Sequence, residues 1–188
     1  MECVDVGFVV DVSGSVGSNY PQVQTFLKDL ARSIGVSTNG AHVSVVQFAS
    51  NATLEIAFLD DIATFISRVD ALKGTKWQTR IDIGLDVALE EMFQPANGMR
   101  PYDECSKVAI VMTDGTNTDP WAPMDYAKKF RDARIRVVAI GIGNRVNEDE
   151  LRPLVEVDSD FLLAEDFHDL ISDSFLESTA ICQDKGKP

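Results

Sequence analysis

Cysteine is scarce: 3 residues in a chain of 188, which excludes a disulfide-dense miniprotein. No apolar run approaches the roughly 20 residues needed to cross a bilayer as a helix, so membrane insertion is not expected. Positive charge is also in short supply. Lys and Arg number 17 against 30 Asp and Glu, for a formal net charge of −13. Such a chain repels phosphate backbones and anionic lipid, so neither a nucleic-acid partner nor a membrane-surface role is expected. His42 and His168 stand alone and form no constellation. There is no internal repeat, linker or low-complexity tract. What remains is ordinary for a globular domain: 45% apolar and 25% charged residues. The length suits one domain, 1–188, with a core over about 4–177 and a loose tail at 183–188. The chain enters a strand pattern directly after Met-Glu-Cys, with no signal peptide. Met1 reads as an initiator on an excised module, and further domains of a parent protein are expected.

Apolar runs alternate with helical patterns along the chain. Val4–Val10 reads as a strand. Tyr20, Val23, Leu27, Leu30 and Ile34 fall on one helix face, with Ser18 or Asn19 as the expected cap and Gly35 as the stop. Val43–Phe48 and Thr53–Ile56 suggest a hairpin whose second arm is an edge strand. Asp60-Asp61 opens a helix bearing Ile62, Phe65, Ile66 and Val69, and Ile81, Leu85, Ala88, Leu89 and Met92 mark the next. Lys107–Met112 and Ile135–Ile142 read as strands buried on both faces, with a helix over Met124–Ala133 between them. A short helix at Leu151–Val155, a short strand at Phe161–Leu163 and a terminal helix from Phe167 to Phe175 complete the pattern. Asp158 and Asp160 are expected in a loop, and Glu90-Glu91 on a solvated helix face. The alternation predicts an α/β fold: a doubly wound, mostly parallel sheet with one antiparallel edge strand and helices on both faces, Rossmann-like in layout. In such sheets ligands bind beyond the carboxyl ends of the strands.

Three oxygen-rich segments fall at those ends. The first strand runs into Asp11-Val12-Ser13-Gly14-Ser15, and the Lys107–Met112 strand into Thr113-Asp114-Gly115. Thr79 opens a helix after Gly74-Thr75-Lys76-Trp77-Gln78. A parallel sheet brings these loops to one edge, where they supply two carboxylates and three hydroxyls. Hard oxygen donors of this kind suit Mg²⁺ or Mn²⁺, with Ca²⁺ a further candidate.

The Asp-x-Ser-x-Ser run, with Thr79 and Asp114 at the right strand ends, resembles the von Willebrand factor type A domain, the inserted domain of integrins. The matching order of elements extends from about Val4 to Phe175. The resemblance implies a metal-ion-dependent adhesion site at Asp11, Ser13, Ser15, Thr79 and Asp114. Ser13 and Ser15 would bind the ion directly; Thr79 and the aspartates would bind directly or through water. An acidic side chain of a protein ligand would fill the open position. It further implies a secreted adhesion module of the extracellular matrix, with collagen-like fibres or another adhesion protein as partner. A structural spacer is the alternative. The resemblance also implies a bridge between Cys3 and Cys182, which bracket the domain. A loop of that size is worth about 4–5 kcal/mol in the chain-entropy model. Cys105 is then left over, either buried and inert or paired with another chain.

Trp77, Gln78 and Trp121 lie in the metal-bearing loops and are candidate ligand contacts, although each tryptophan could instead pin its loop to the core. Trp77-Gln78 departs from the small, Gly-rich approach common in the family. Asn51-Ala52-Thr53 is an N-glycosylation sequon on the hairpin turn. The rival class is a Mg²⁺-dependent hydrolase. Against it, Ser13 stands where aspartyl phosphatases have a second Asp, and no P-loop, His-Glu-x-x-His or Gly-x-Ser-x-Gly is present. Gly141-Ile142-Gly143-Asn144 is only a fragment of a nucleotide fingerprint. The reading is therefore a binding module rather than an enzyme.

Overall fold

The structure, a computed structural model, describes residues 3–75 and 77–172. Six strands form one sheet in the order β3-β2-β1-β4-β5-β6: β1 (Val4–Asp11), β2 (Ala41–Phe48), β3 (Ala52–Leu59), β4 (Ser106–Thr113), β5 (Ile135–Ile142) and β6 (Phe161–Ala164). Only the β2–β3 pairing is antiparallel. The fold class is the one the sequence predicts. All eight residues of β1 are buried, as its unbroken apolar run requires of a central strand.

The strand period of two sends alternate β1 side chains into separate cores. Val4, Val6, Phe8 and Val10 meet α1 (Tyr20–Ser33) and α2 (Ile62–Ala71). Val9 faces α3 (Ile81–Val87), which continues as a π-helical turn over Ala88–Met92, and α4 (Pro123–Asp132). A short α5 (Glu148–Leu151) borders the same layer. Gly7 shares the parity of Val9, and a Cβ there would stand 2.1 Å from Met92 Sδ. Close approach of the π turn is why β1 carries a glycine in mid-strand.

Several local expectations meet a different outcome. Asp61 caps α2 by accepting from the Thr64 amide at 2.7 Å. Neither Ser18 nor Asn19 caps α1, because the chain enters it through a 3-10 turn, Gly17–Asn19, with Pro21 in the first turn. Asp158 and Asp160, expected in a loop before the short strand, fall in a 3-10 turn directly ahead of β6, and Asp160 turns inward. It is buried and receives two hydrogen bonds from Arg136 of β5, at 2.8 and 2.6 Å. The terminal helix appears, within the described residues, only as a 3-10 turn at Asp169–Ile171; Ser174-Phe175 and the tail lie outside them.

The disulfide is the clearest correction. Cys3 pairs with Cys105, with Cα atoms 4.9 Å apart, and not with Cys182. The reason is register. Val4 of β1 lies opposite Ser106 of β4, so the residues just before them are neighbours. A bridge needs Cα atoms within about 7 Å, and parallel pairing supplies that at once. Cys105 is therefore no spare thiol, and Cys182 lies outside the described residues. The bridge spans 102 residues, so the chain-entropy contribution of about 4–5 kcal/mol carries over to the new pairing.

Candidate metal centre

The sheet order reverses between β1 and β4, and the crevice beyond their carboxyl ends is where the fold concentrates its polar side chains. Asp11 ends β1 and Thr113 ends β4. The loops that follow are fastened to one another by backbone groups. The Gly14 amide donates to the Trp77 carbonyl at 3.0 Å, the Thr75 amide to Val12 O at 3.0 Å, and the Thr118 amide to Thr79 O at 2.8 Å. The Gln78 amide reaches Ser50 Oγ in the β2–β3 turn at 3.2 Å.

These ties gather all five predicted metal-binding side chains. Thr79 Oγ1 donates to Ser13 Oγ at 3.1 Å, and Ser15 Oγ donates to Asp114 Oδ1 at 2.5 Å. Ser13 and Ser15 hydroxyls stand 3.1 Å apart. A hydroxyl has one proton to give. Since Ser15 gives its own to Asp114, the shared bond must run from Ser13 to Ser15. The chain of donation is Thr79, Ser13, Ser15, Asp114. Asp11 is held separately: its Oδ1 accepts from the Ser13 amide at 2.8 Å and its Oδ2 from Thr113 Oγ1 at 2.6 Å.

The floor of the cluster is closed to water and its mouth is open. Asp11, Ser13 and Asp114 are buried, Ser15 and Gly115 are half-buried, and Gly14 and Thr116 are exposed. Burial pushes the Asp11 carboxyl up to about 6, against the hydrogen bonds from Thr113 and Ser13, and the nearby Asp114 carboxylate adds to the rise. Among the described residues no cation pairs with Asp11. Asp114 has one distant partner: Arg145, in the loop after β5, with Nη2 at 3.4 Å and a largely exposed side chain.

This donor set fits a small divalent cation. An octahedral ion with ligands at about 2.0–2.1 Å sets adjacent ligand oxygens about 2.9 Å apart. The linked oxygens stand 2.5–3.1 Å apart. Among the described residues no group of three or more His, Cys, Asp or Glu is placed to hold a metal ion, so a cation here would depend on the hydroxyls. A Cβ on Gly115 would stand 3.4 Å from Thr79 Oγ1, filling space beside that hydroxyl.

The remaining candidates divide. Trp77 and Gln78 are exposed at the rim, with Trp77 at 71% of its full accessibility. Trp121 is half-buried and packs against Tyr126 at 5.6 Å, the loop-pinning role. Asn51 is exposed in the β2–β3 turn. Sequence reasoning missed Thr113, Arg145 and Asn117. Thr113 was visible as the residue before Asp114, at a position that a buried strand end must satisfy. Arg145 carried no local signal.

The family model of the von Willebrand factor type A domain matches residues 5–174. Matrilin-1 of Gallus gallus is 34% identical over 158 residues, covering 80% of this chain and 30% of that protein. Cuticlin-6 of Caenorhabditis elegans is 30% identical over 159 residues, covering 81% and 26%. The chain thus spans under a third of the length of these relatives. Among solved structures, proximal thread matrix protein 1 from the mussel byssus superposes with a TM-score of 0.85 at 26% identity, over 95% of this chain and 47% of that one. A second structure of that protein, with its metal-ion-dependent adhesion motif occupied by zinc, gives a TM-score of 0.83 at 26% identity over the same shares. The chain belongs to the von Willebrand factor type A domain family.

Proposed function

We propose that this domain is a metal-dependent adhesion module, holding a divalent cation at Asp11, Ser13, Ser15, Thr79 and Asp114 and binding an acidic side chain of a matrix protein there. The observation that carries the reading is the linked chain of Thr79, Ser13, Ser15 and Asp114 oxygens beside a buried carboxylate, Asp11, that is tied to the same loop through the Ser13 amide and has no cation among the described residues. Mg²⁺ is the proposed ion, with Mn²⁺, Ca²⁺ or zinc able to use the same oxygens; zinc occupies the corresponding motif of the mussel protein.

When bound, the ion supplies a Lewis-acidic position for a ligand carboxylate. The chain's own residues do the rest. Neutral hydroxyls from Ser13, Ser15 and Thr79 contribute donors without cancelling positive charge, so an incoming acid is still attracted. Exposed Trp77 and Gln78 border the mouth and offer contact area for the ligand backbone. Trp121 shapes the neighbouring loop. The net charge of −13 opposes an acidic partner only within roughly 8 Å at physiological salt. A hydrolase needs a base free to activate water, and both aspartates are engaged in the site. Kinship with matrilin and cuticlin supports a secreted, extracellular matrix location. The Cys3–Cys105 bridge, stable in oxidising compartments, points the same way, as does a glycan proposed at Asn51. Fibrillar collagen leads the partner class.

The test is binding to immobilised matrix proteins, fibrillar collagen first, in Mg²⁺ and in chelator. Binding in Mg²⁺ that disappears with chelator and in Asp114→Ala is the expected result. Binding that ignores chelator, or no binding to any matrix protein, contradicts the adhesion reading.

A further inference from the structure

The helix that follows Thr79 lacks a cap of its own. The first amides of a helix have no partner within it and are usually satisfied by a side chain at the N-cap. At α3 the N-cap residue is Arg80, whose side chain makes no such bond. It turns instead to Asp82, at 2.9 and 2.7 Å, and to Asp119 at 2.8 Å. The cap comes from another loop. Asn117, three residues past Asp114, accepts from the Ile81 amide at 2.5 Å and from the Asp82 amide at 3.4 Å.

Both ends of the Asn117 side-chain amide are engaged, and so is its backbone amide. Its Nδ2 donates to Asp119 O at 2.7 Å, and its own amide donates to Glu150 Oε2 at 2.9 Å. The side chain is buried at 7% accessibility. A backbone donor on one side and a carbonyl on the other fix which way the amide points. The next residue, Thr118, donates its amide to the Thr79 carbonyl. The 117–119 segment therefore grips the chain at Thr79, Arg80 and Ile81, while Asp114, in the same loop, receives the last proton of the hydroxyl chain that Thr79 begins.

We propose that Asn117 is a positioning residue for the metal centre: by capping α3 from the Asp114 loop, it sets where the Thr79 hydroxyl stands relative to Ser13 and Asp114. The proposal rests on the metal reading above and adds a residue that binds no ion itself. Groups that orient metal ligands commonly change affinity by 10–100-fold when removed.

The test is calorimetric titration with Mn²⁺ alone of wild type, Asn117→Ala, Thr79→Ala and the double variant, with Asp11→Ala as the control that abolishes the site. Asn117→Ala is expected to weaken Mn²⁺ binding by about 10–100-fold and to add nothing once Thr79 is alanine. Asn117→Asp, which keeps the accepting oxygen but loses the donor to Asp119 O, should weaken binding less than Asn117→Ala. In the metal-free protein the Ile81 amide should exchange its hydrogen faster in Asn117→Ala. Wild-type affinity in Asn117→Ala, or a loss that adds fully to that of Thr79→Ala, overturns the proposal. If the alanine variant does not fold, Asn117→Gln decides: it keeps the amide but moves it by one methylene, so unchanged affinity is again contrary. Failure of wild type itself to bind Mn²⁺ removes the metal reading instead, and Ile81 exchange then reports alone on whether Asn117 holds the Thr79 loop.

Discussion

Strand β1 carries a buried aspartate near each end, on the same face, and the two are treated oppositely. Asp5 is fully buried and surrounded by cations. Arg100 Nε donates to it at 2.7 Å, the Arg100 amide at 2.8 Å, and Lys107 Nζ lies 3.3 Å away. Lys107 is itself buried, donating to the Cys105 carbonyl at 2.5 Å beneath the disulfide. Burial lowers the Lys107 pKa, and the neighbouring Asp5 works against that drop. Asp11, at the other end, receives only a hydroxyl and a backbone amide, and burial drives its carboxyl up to about 6. An internal cation makes Asp5 part of the scaffold. Asp11 has none among the described residues, and a cation from solution is the proposed counterpart.

Removing the charge at Asp5 is the most damaging way to disturb this contrast. Asp5→Ala would leave buried Lys107 and half-buried Arg100 without their carboxylate partner, at a cost of about 3–5 kcal/mol in urea unfolding. The fraction that folds should still bind Mn²⁺ as wild type does. Six residues of strand, roughly 20 Å, separate the two carboxylates. A parallel loss of metal affinity would show that the ends are coupled. The smallest effect should come from Arg145, a cation that reaches Asp114 at the metal site. Arg145→Ala removes a competing charge from Asp114, so Mn²⁺ affinity should rise a few-fold at low salt and less at high salt, since the side chain is largely exposed. Weaker binding in that variant would mean the guanidinium supports the site rather than competing for it.

The same contrast shows what the sequence could convey. Asp11, Ser13, Ser15, Thr79 and Asp114 were legible because strand ends and short spacings place them without knowledge of the register between distant strands. The Cys3–Cys105 bridge depends on that register, Val4 opposite Ser106, and no local pattern encodes it. The partner of buried Asp160 was hidden for a related reason. That partner, Arg136, sits 24 residues away in an otherwise apolar strand, and that isolated charge was the available clue. Asn117 left a fainter trace: α3 opens with Arg80, a poor capping residue, so the cap had to come from elsewhere. Thr79 could be assigned from sequence, whereas the loop that steadies it became apparent only once β1 and β4 were placed side by side.

Urea unfolding of wild type and Asp11→Asn, metal-free and with Mn²⁺, asks directly whether the buried Asp11 carboxylate takes its cation from outside the chain. A carboxyl raised from 3.8 to about 6 on folding contributes stability that is fully present below pH 3.8 and lost as pH rises through about 6. At pH 7 the metal-free Asn variant should therefore be more stable than wild type, by up to about 3 kcal/mol, and this advantage should shrink as pH falls toward 4. Mn²⁺ should stabilise wild type and leave the variant unmoved. A metal-free variant less stable than wild type at pH 7, together with no response of either protein to Mn²⁺, would contradict the account.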